Sequence, residues 1–293
     1  MDEYFLENRF KLEDGHIFYK VGGSGPPLLL LHGYPQNHMM WLKIAPMLAN
    51  KYTIVLPDLR GYGKSLAPTG DANHENYSKR VMADDLKQLM SHLNFDKFGL
   101  IGHDRGGRVA HRMAKDNRGD ISGLIVMDIC PTLDMYESTN MDFAKSYFHW
   151  FFLIQPVGIP ETLINKNPEF WLNNCLKNWS DGYDFGEVKA GYIEHFRKPE
   201  NIHGSCEDYR ASASIDLEHD KEDRHHKLEI PIYALWGSRG FIGQTFDPVS
   251  IWQKYTTNFV WGKSLECGHF LPEEKTDETA AEIVKFFNYI NYN

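Results

Sequence analysis

The chain has 293 residues, of which 42% are hydrophobic, 14% aromatic and 24% charged, the make-up of a folded globular protein and too apolar for a disordered or collagen-like one. Lys plus Arg number 31 against 40 Asp plus Glu, a net charge of −9, so nucleic acid and anionic membrane surfaces are poor partners. Cys130, Cys175, Cys206 and Cys267 show no CxxC spacing, Met1-Asp2-Glu3-Tyr4 lacks the basic region of a secretory signal, and the longest aliphatic run is Leu28 to Leu31; together these predict a cytoplasmic protein with reduced thiols and no membrane span.

Near the amino end, residues 10–12 and 16–19 flank the turn Glu13-Asp14-Gly15 and predict an antiparallel hairpin. Residues 27–31 form an uninterrupted apolar run stopped by His32-Gly33, as in a parallel strand covered on both faces. Similar runs follow at 52–58, 98–102, 123–128 and 232–236. Between them, Met82, Leu86, Leu89 and Leu93, and then Val109, Ala110, Met113 and Ala114, recur at helical steps. This alternation predicts an α/β fold, a mostly parallel sheet flanked by helices. From 131 to 229 the strand rhythm disappears and aromatic, helix-like segments take over, so a core of 1–130 and 230–293 is expected to carry an inserted helical cap at 131–229. Within it, Tyr147-Phe148-His149-Trp150-Phe151-Phe152 reads as buried packing and the charged stretch 216–226 as a solvated helix or return hinge; His225-His226 lacks metal-ligand spacing. Ala280, Ile283, Val284, Phe286 and Phe287 mark a last helix over 276–289.

Gly102-His103-Asp104-Arg105-Gly106 follows a buried strand and opens an amphipathic helix. It fits the sharp turn Gly-x-nucleophile-x-Gly, with aspartate in the nucleophile position. The alternative is a helix N-cap, a place aspartate also favours. His32-Gly33-Tyr34-Pro35 lies at the carboxyl edge of a strand, where the Tyr34 N–H with that of Arg105 would make a two-donor oxyanion hole; a plain turn is the competing reading. Late in the chain, Cys267-Gly268-His269-Phe270 supplies a histidine in the order nucleophile, acid, histidine. The turn after strand 232–236 carries no carboxylate, so Asp128, at the end of the preceding strand, is the expected orienting acid, with Asp247 as substitute and an end-of-strand cap as the alternative role. Gly61-Tyr62-Gly63-Lys64-Ser65 lacks the first glycine of a phosphate loop, and nucleotide binding is rejected.

These motifs, with Asp58-Leu59-Arg60-Gly61-Tyr62-Gly63, Cys206-Glu207-Asp208-Tyr209-Arg210 and Gly268-His269-Phe270-Leu271-Pro272-Glu273-Glu274, span nearly the whole chain, which resembles the haloacetate (fluoroacetate) dehalogenases of the α/β-hydrolase superfamily. Asp104-Arg105 with Arg108 is the discriminating element, since epoxide hydrolases and haloalkane dehalogenases usually place tryptophan after the nucleophile. The resemblance implies an α/β-hydrolase fold and hydrolysis of a small haloacid to a 2-hydroxy acid and halide. It implies attack by Asp104, an aspartyl ester, and water activated by His269, with no metal or organic cofactor and with a homodimeric assembly. It further implies that Arg105 and Arg108 clamp the substrate carboxylate in bidentate fashion and that His149 and Trp150 receive the halide. A family tyrosine is matched, five residues beyond Tyr209, by Ser214, implying a wider pocket and weaker preference for fluoride. The nearest rival is an epoxide hydrolase using two of Tyr136, Tyr147, Tyr183, Tyr192 and Tyr209. A noncatalytic small-molecule-binding protein is the alternative of another class.

Overall fold

The computed structural model describes residues 5–117 and 119–292; the acidic segment 1–4 lies outside them. The turn at Glu13-Asp14-Gly15 joins β1 (Phe5–Lys11) to β2 (His16–Gly23) as an antiparallel pair. The apolar runs form β3 (Pro27–Leu31), β4 (Thr53–Pro57), β5 (Phe98–His103), β6 (Ile121–Met127) and β7 (Ile232–Gly237). An eighth strand, β8 (Val260–Leu265), was not marked by an apolar run because it closes the sheet edge and leaves Gly262, Lys263 and Ser264 exposed. The order is β1-β2-β4-β3-β5-β6-β7-β8, antiparallel at the β1/β2 and β2/β4 pairs and parallel from β4 onward. Leu28, Leu29, Leu30 and Leu31 are fully buried, as a central strand covered on both faces requires.

Helix α1 (Lys79–His92) and helix α2 (Asp104–Asp116) follow in the chain, α2 starting directly where β5 ends. Among the described residues, eight helices and no strand run between β6 and β7, from Thr132 to Glu222. They include α3 (Phe148–Leu153), α4 (Pro168–Trp179) and α5 (Pro199–Ser212). In the aromatic segment, His149 and Trp150 are buried while Phe148 is exposed. The stretch 216–226 is not simply solvated. Arg112 pairs with Asp220 at 2.7 Å and with Asp223 at 2.5 Å, and Lys115 with Asp223 at 2.8 Å, both cations being buried in α2. This ionic seam ties the end of the insert to the core. The last helix, α6 (Thr276–Tyr289), buries Ala280, Ile283, Phe286 and Phe287. Among the described residues no helix is long and apolar enough to cross a membrane.

Candidate active site

The turn between β5 and α2 forces Asp104 into the left-handed region, φ 46°, a conformation that non-glycine residues adopt only where the surroundings hold them. Close packing explains the neighbouring glycine: a Cβ on Gly106 would lie 2.4 Å from the His32 carbonyl oxygen. The β3 loop is as tight, for a Cβ on Gly33 would come within 2.6 Å of the Asp104 Cβ. This approach lets the Tyr34 N–H donate to Asp104 Oδ1 at 2.8 Å. Buried His32 steadies the loop. Its Nε2 accepts from the Leu59 N–H at 3.0 Å, which leaves the proton on Nδ1, 3.0 Å from the Gly33 carbonyl. The Arg105 N–H lies in the first turn of α2, where no preceding helical carbonyl takes it.

The loop after β8 brings His269 behind Asp104. His269 Nδ1 is 2.6 Å from Asp128 Oδ2, and Nε2 is 3.9 Å from Asp104 Oδ2. Asp128 directly follows β6, also in a left-handed conformation (φ 53°), and its Oδ1 accepts the Gly237 N–H at 3.0 Å. With Asp128 accepting, the imidazole proton sits on Nδ1 and Nε2 faces Asp104 as a base. Burial pushes the Asp104 carboxyl up, but His269, His103, Arg105 and Arg108 outweigh it and hold the group below its ordinary value. Burial lowers His269, yet the Asp128 hydrogen bond and charge, with the Asp104 charge, bring it above its ordinary value. His103, pulled down to about 3 by burial and by repulsion from His269, stays neutral; its Nε2 lies 2.8 Å from the His269 carbonyl and fixes that loop. Asp247 is exposed and caps a short helix through the Ser250 N–H at 3.2 Å, so the substitute acid is remote from this chemistry.

Several buried polar atoms near Asp104 have no partner among the described residues: Arg105 Nη1, Arg108 Nε, His149 Nδ1, Trp150 Nε1 and the Tyr209 hydroxyl. Unsatisfied buried donors are costly, and their convergence points to a ligand. The Arg105 guanidinium stacks 4.1 Å from the Tyr209 ring centroid and that of Arg108 4.6 Å from Trp150. Both arginines are partly engaged by the protein itself. Arg105 spends Nε (2.8 Å to Oδ2) and Nη2 (2.8 Å to Oδ1) on Asp208, while Arg108 donates Nη1 to the Cys130 carbonyl and Thr132 hydroxyl at 3.2 and 3.0 Å. Each arginine therefore offers one free nitrogen, not a whole fork. Among the described residues Arg108 is bonded to no carboxylate, whereas Asp208 holds Arg105 well above its ordinary value despite burial.

His149, at about 3 because of burial and the neighbouring cations, is neutral and can present one N–H. Ser214 precedes the helix Ile215–Glu222, and its hydroxyl donates to the Arg210 carbonyl at 2.8 Å. Tyr209 is fully buried with its ring centroid 5.9 Å from that of His149, and burial and the Asp104 charge keep it protonated. Tyr209 lies in the Asp208-Tyr209-Arg210 segment of α5, and Ser214 follows the end of that helix. Tyr34, besides its N–H, accepts from Trp171 Nε1 at 2.5 Å. Trp179, unmarked in the sequence, packs 4.5 Å from His149 and 5.9 Å from His269 between ring centroids. A cavity of about 380 Å³ reaches Asp104, Asp128 and His269 between Tyr147, Phe148, His149 and Trp179, with Arg239 and Asp181 paired beside it. A second cluster, Glu161, His203 and Glu207, brings possible metal ligands within 4.8 Å of one another. Arg210 already occupies it as the cation, 2.7 Å from each glutamate.

The fold, the strained aspartate and the histidine–aspartate pair behind it define an α/β hydrolase; residues 26–155 match the family model described as the alpha/beta hydrolase fold. A fluoroacetate dehalogenase from a Burkholderia species is 44% identical over 98% of this chain and 95% of its own. The soluble epoxide hydrolase of Corynebacterium sp. strain C12 is 37% identical over 92% and 93%. The solved structure of an α/β-hydrolase-fold protein from Nostoc sp PCC 7120 superposes with TM-score 0.95 at 47% identity, covering 100% of both chains. The chain belongs to the haloacetate dehalogenase family of the α/β-hydrolase superfamily.

Proposed function

We propose that the protein hydrolyses haloacetates to glycolate and halide. The observation that carries this reading is the pair of buried guanidinium groups beside Asp104, each with one unsatisfied nitrogen, in a chain similar to a fluoroacetate dehalogenase. A buried cation bonded to no carboxylate among the described residues, as Arg108 is, favours an anionic ligand. The substrate carboxylate takes Arg105 Nη1 and Arg108 Nε, one N–H from each, and its reacting carbon faces Asp104.

Asp104 Oδ1 is engaged by Tyr34, so Oδ2 is the attacking atom. It forms a bond to the carbon as the carbon–halogen bond breaks, and the halide leaves with the electron pair. The N–H groups of His149 and Trp150 and the Tyr209 hydroxyl receive the developing negative charge. Water then loses a proton to His269 Nε2 and attacks the ester carbonyl carbon. The resulting oxyanion on Oδ1 is held by the Tyr34 and Arg105 N–H groups. Collapse expels the 2-hydroxy acid, protonated by His269, and the regenerated Asp104 releases a proton to solvent. In this scheme Asp128 orients and stabilises the imidazolium.

The helices of 131–229 act as a cap over the chamber. Exposed Met141, Phe148, Ile159, Leu163 and Phe170 on that insert support a homodimer formed through it. Four free, buried thiols accord with the reducing cytoplasm. The epoxide reading draws on the 37% identical relative and on the Tyr209 and Tyr136 hydroxyls, both buried without a partner among the described residues. Halide release from fluoro-, chloro- and bromoacetate, with Asp104→Asn as blank, tests the proposal. Release abolished by the substitution is expected; no release, with diol formed from an epoxide, would replace this reading by the other.

A further inference from the structure

Arg105 does not stand alone with its counter-ion. Asp208, fully buried in α5, is shared between Arg105 and Lys79 Nζ, and its Oδ2 also accepts from the Tyr62 hydroxyl at 2.6 Å. Lys79 opens α1 and is itself buried. Its backbone N–H donates to Asp216 Oδ1 at 2.8 Å, and its ammonium lies 3.4 Å from Asp216 Oδ2. Ser212 closes the ring, accepting from Arg105 Nη2 at 2.5 Å and donating to Asp216 Oδ2 at 3.2 Å. Two cations and two carboxylates are thus locked in one buried quartet with no net charge. Lys79 is joined to Arg105 through Asp208.

Consider the quartet without its ammonium. Arg105 would then face two carboxylates, one directly and one through Ser212, and the group beside the substrate would carry one negative charge. At low effective dielectric, a unit charge several ångströms away changes anion affinity about tenfold or more. We propose that Lys79, a buried core residue, is a positioning and charge-balancing residue: by supplying the second cation that Asp208 and Asp216 require, it keeps Arg105 Nη1 available to an anionic carboxylate. The proposal rests on the haloacid reading for its substrate but concerns carboxylate binding itself.

The test is calorimetric titration with propionate, an unreactive carboxylate, alongside chloroacetate kinetics and thermal unfolding. Lys79→Met is expected to raise the propionate Kd and the chloroacetate KM about tenfold, with kcat little changed, the pattern of lost uniform binding. Lys79→Arg restores both. Lys79→Met/Asp216→Asn, which returns the site to neutrality, recovers most of the affinity although it alters one more buried group; a packing effect would instead worsen. Asp216→Asn alone, which requires no loss of the lysine, binds propionate more tightly than wild type. An unchanged Kd in Lys79→Met, a double variant no better than the single one, or an Asp216→Asn protein with no gain overturns the proposal. Propionate binding with this pattern but no halide release would remove the dehalogenase reading and leave the role of Lys79 standing.

Discussion

His269 Nε2 stands 3.9 Å from Asp104 Oδ2, too far for a direct hydrogen bond. The separation suits an imidazole that acts through water after Oδ2 has been alkylated, rather than one that activates the carboxylate. His269→Ala should therefore leave the first step running and stop the second. One covalent adduct per chain, located on Asp104 by peptide mass mapping after chloroacetate treatment, is the expected outcome. An unmodified protein would mean that His269 is needed to form the ester.

The same pair predicts an acid limb with a particular origin. In the resting state, burial lowers His269, but Asp128 and the Asp104 charge hold it above its ordinary value. Ester formation cancels the Asp104 charge, so the imidazole becomes easier to deprotonate when it must serve as base. Turnover should fall as pH drops through the His269 midpoint of the ester form, which lies below that of the resting enzyme. Asp104 is held low and is still ionised there, so rapid-quench experiments should retain a stoichiometric halide burst at a pH where steady turnover is lost. Loss of burst and turnover together contradicts the assignment.

Tyr209→Phe removes the unpartnered hydroxyl proposed to receive the halide while leaving the ring against Arg105. Halide release should slow by about tenfold or more, most for fluoride, whose departure needs the strongest hydrogen bonds. Ser214→Ala, by contrast, should stay within about twofold. Rates for fluoro-, chloro- and bromoacetate in the two variants decide between these positions. A large effect of Ser214→Ala with none of Tyr209→Phe would place the halide contact at Ser214.

Glu273 joins three parts of the molecule: its carboxyl group is hydrogen-bonded to Tyr192 in the insert at 2.7 Å and to Gln36 two residues beyond Tyr34. Burial pushes it up to about 8 from an ordinary 4.5. The native state therefore holds a proton that the unfolded chain has lost between those values, and stability declines as pH rises from about 4.5 to about 8. Glu273→Gln abolishes this contribution. Its Tm should vary less over that interval than that of wild type, as read by calorimetry; parallel curves would exclude Glu273 as the source.

The parallel strands were legible because burial on both faces leaves uninterrupted apolar runs, and the β5 turn because Gly102 and Gly106 bracket Asp104. Strand β8 was hidden by its exposed edge. Asp128 could be named only because the turn after β7 carries no carboxylate. What the sequence did not disclose is satisfaction: that Asp208 consumes the fork of Arg105, that Lys79 balances Asp208, and that Tyr209, unlike Ser214, has an idle hydroxyl. Those facts arise where α5 of the insert meets α1 and α2 of the core, and such long-range pairings leave no local periodicity.

A covalent ester through Asp104 Oδ2 is read out by isotope placement. With enzyme in excess over chloroacetate in ¹⁸O-labelled water, the glycolate of a single turnover should carry the old carboxylate oxygen and no label, while the Asp104 peptide gains ¹⁸O. Label in the first-turnover glycolate, with none on Asp104, would show that water displaces the halide directly and would contradict the nucleophilic role of Asp104.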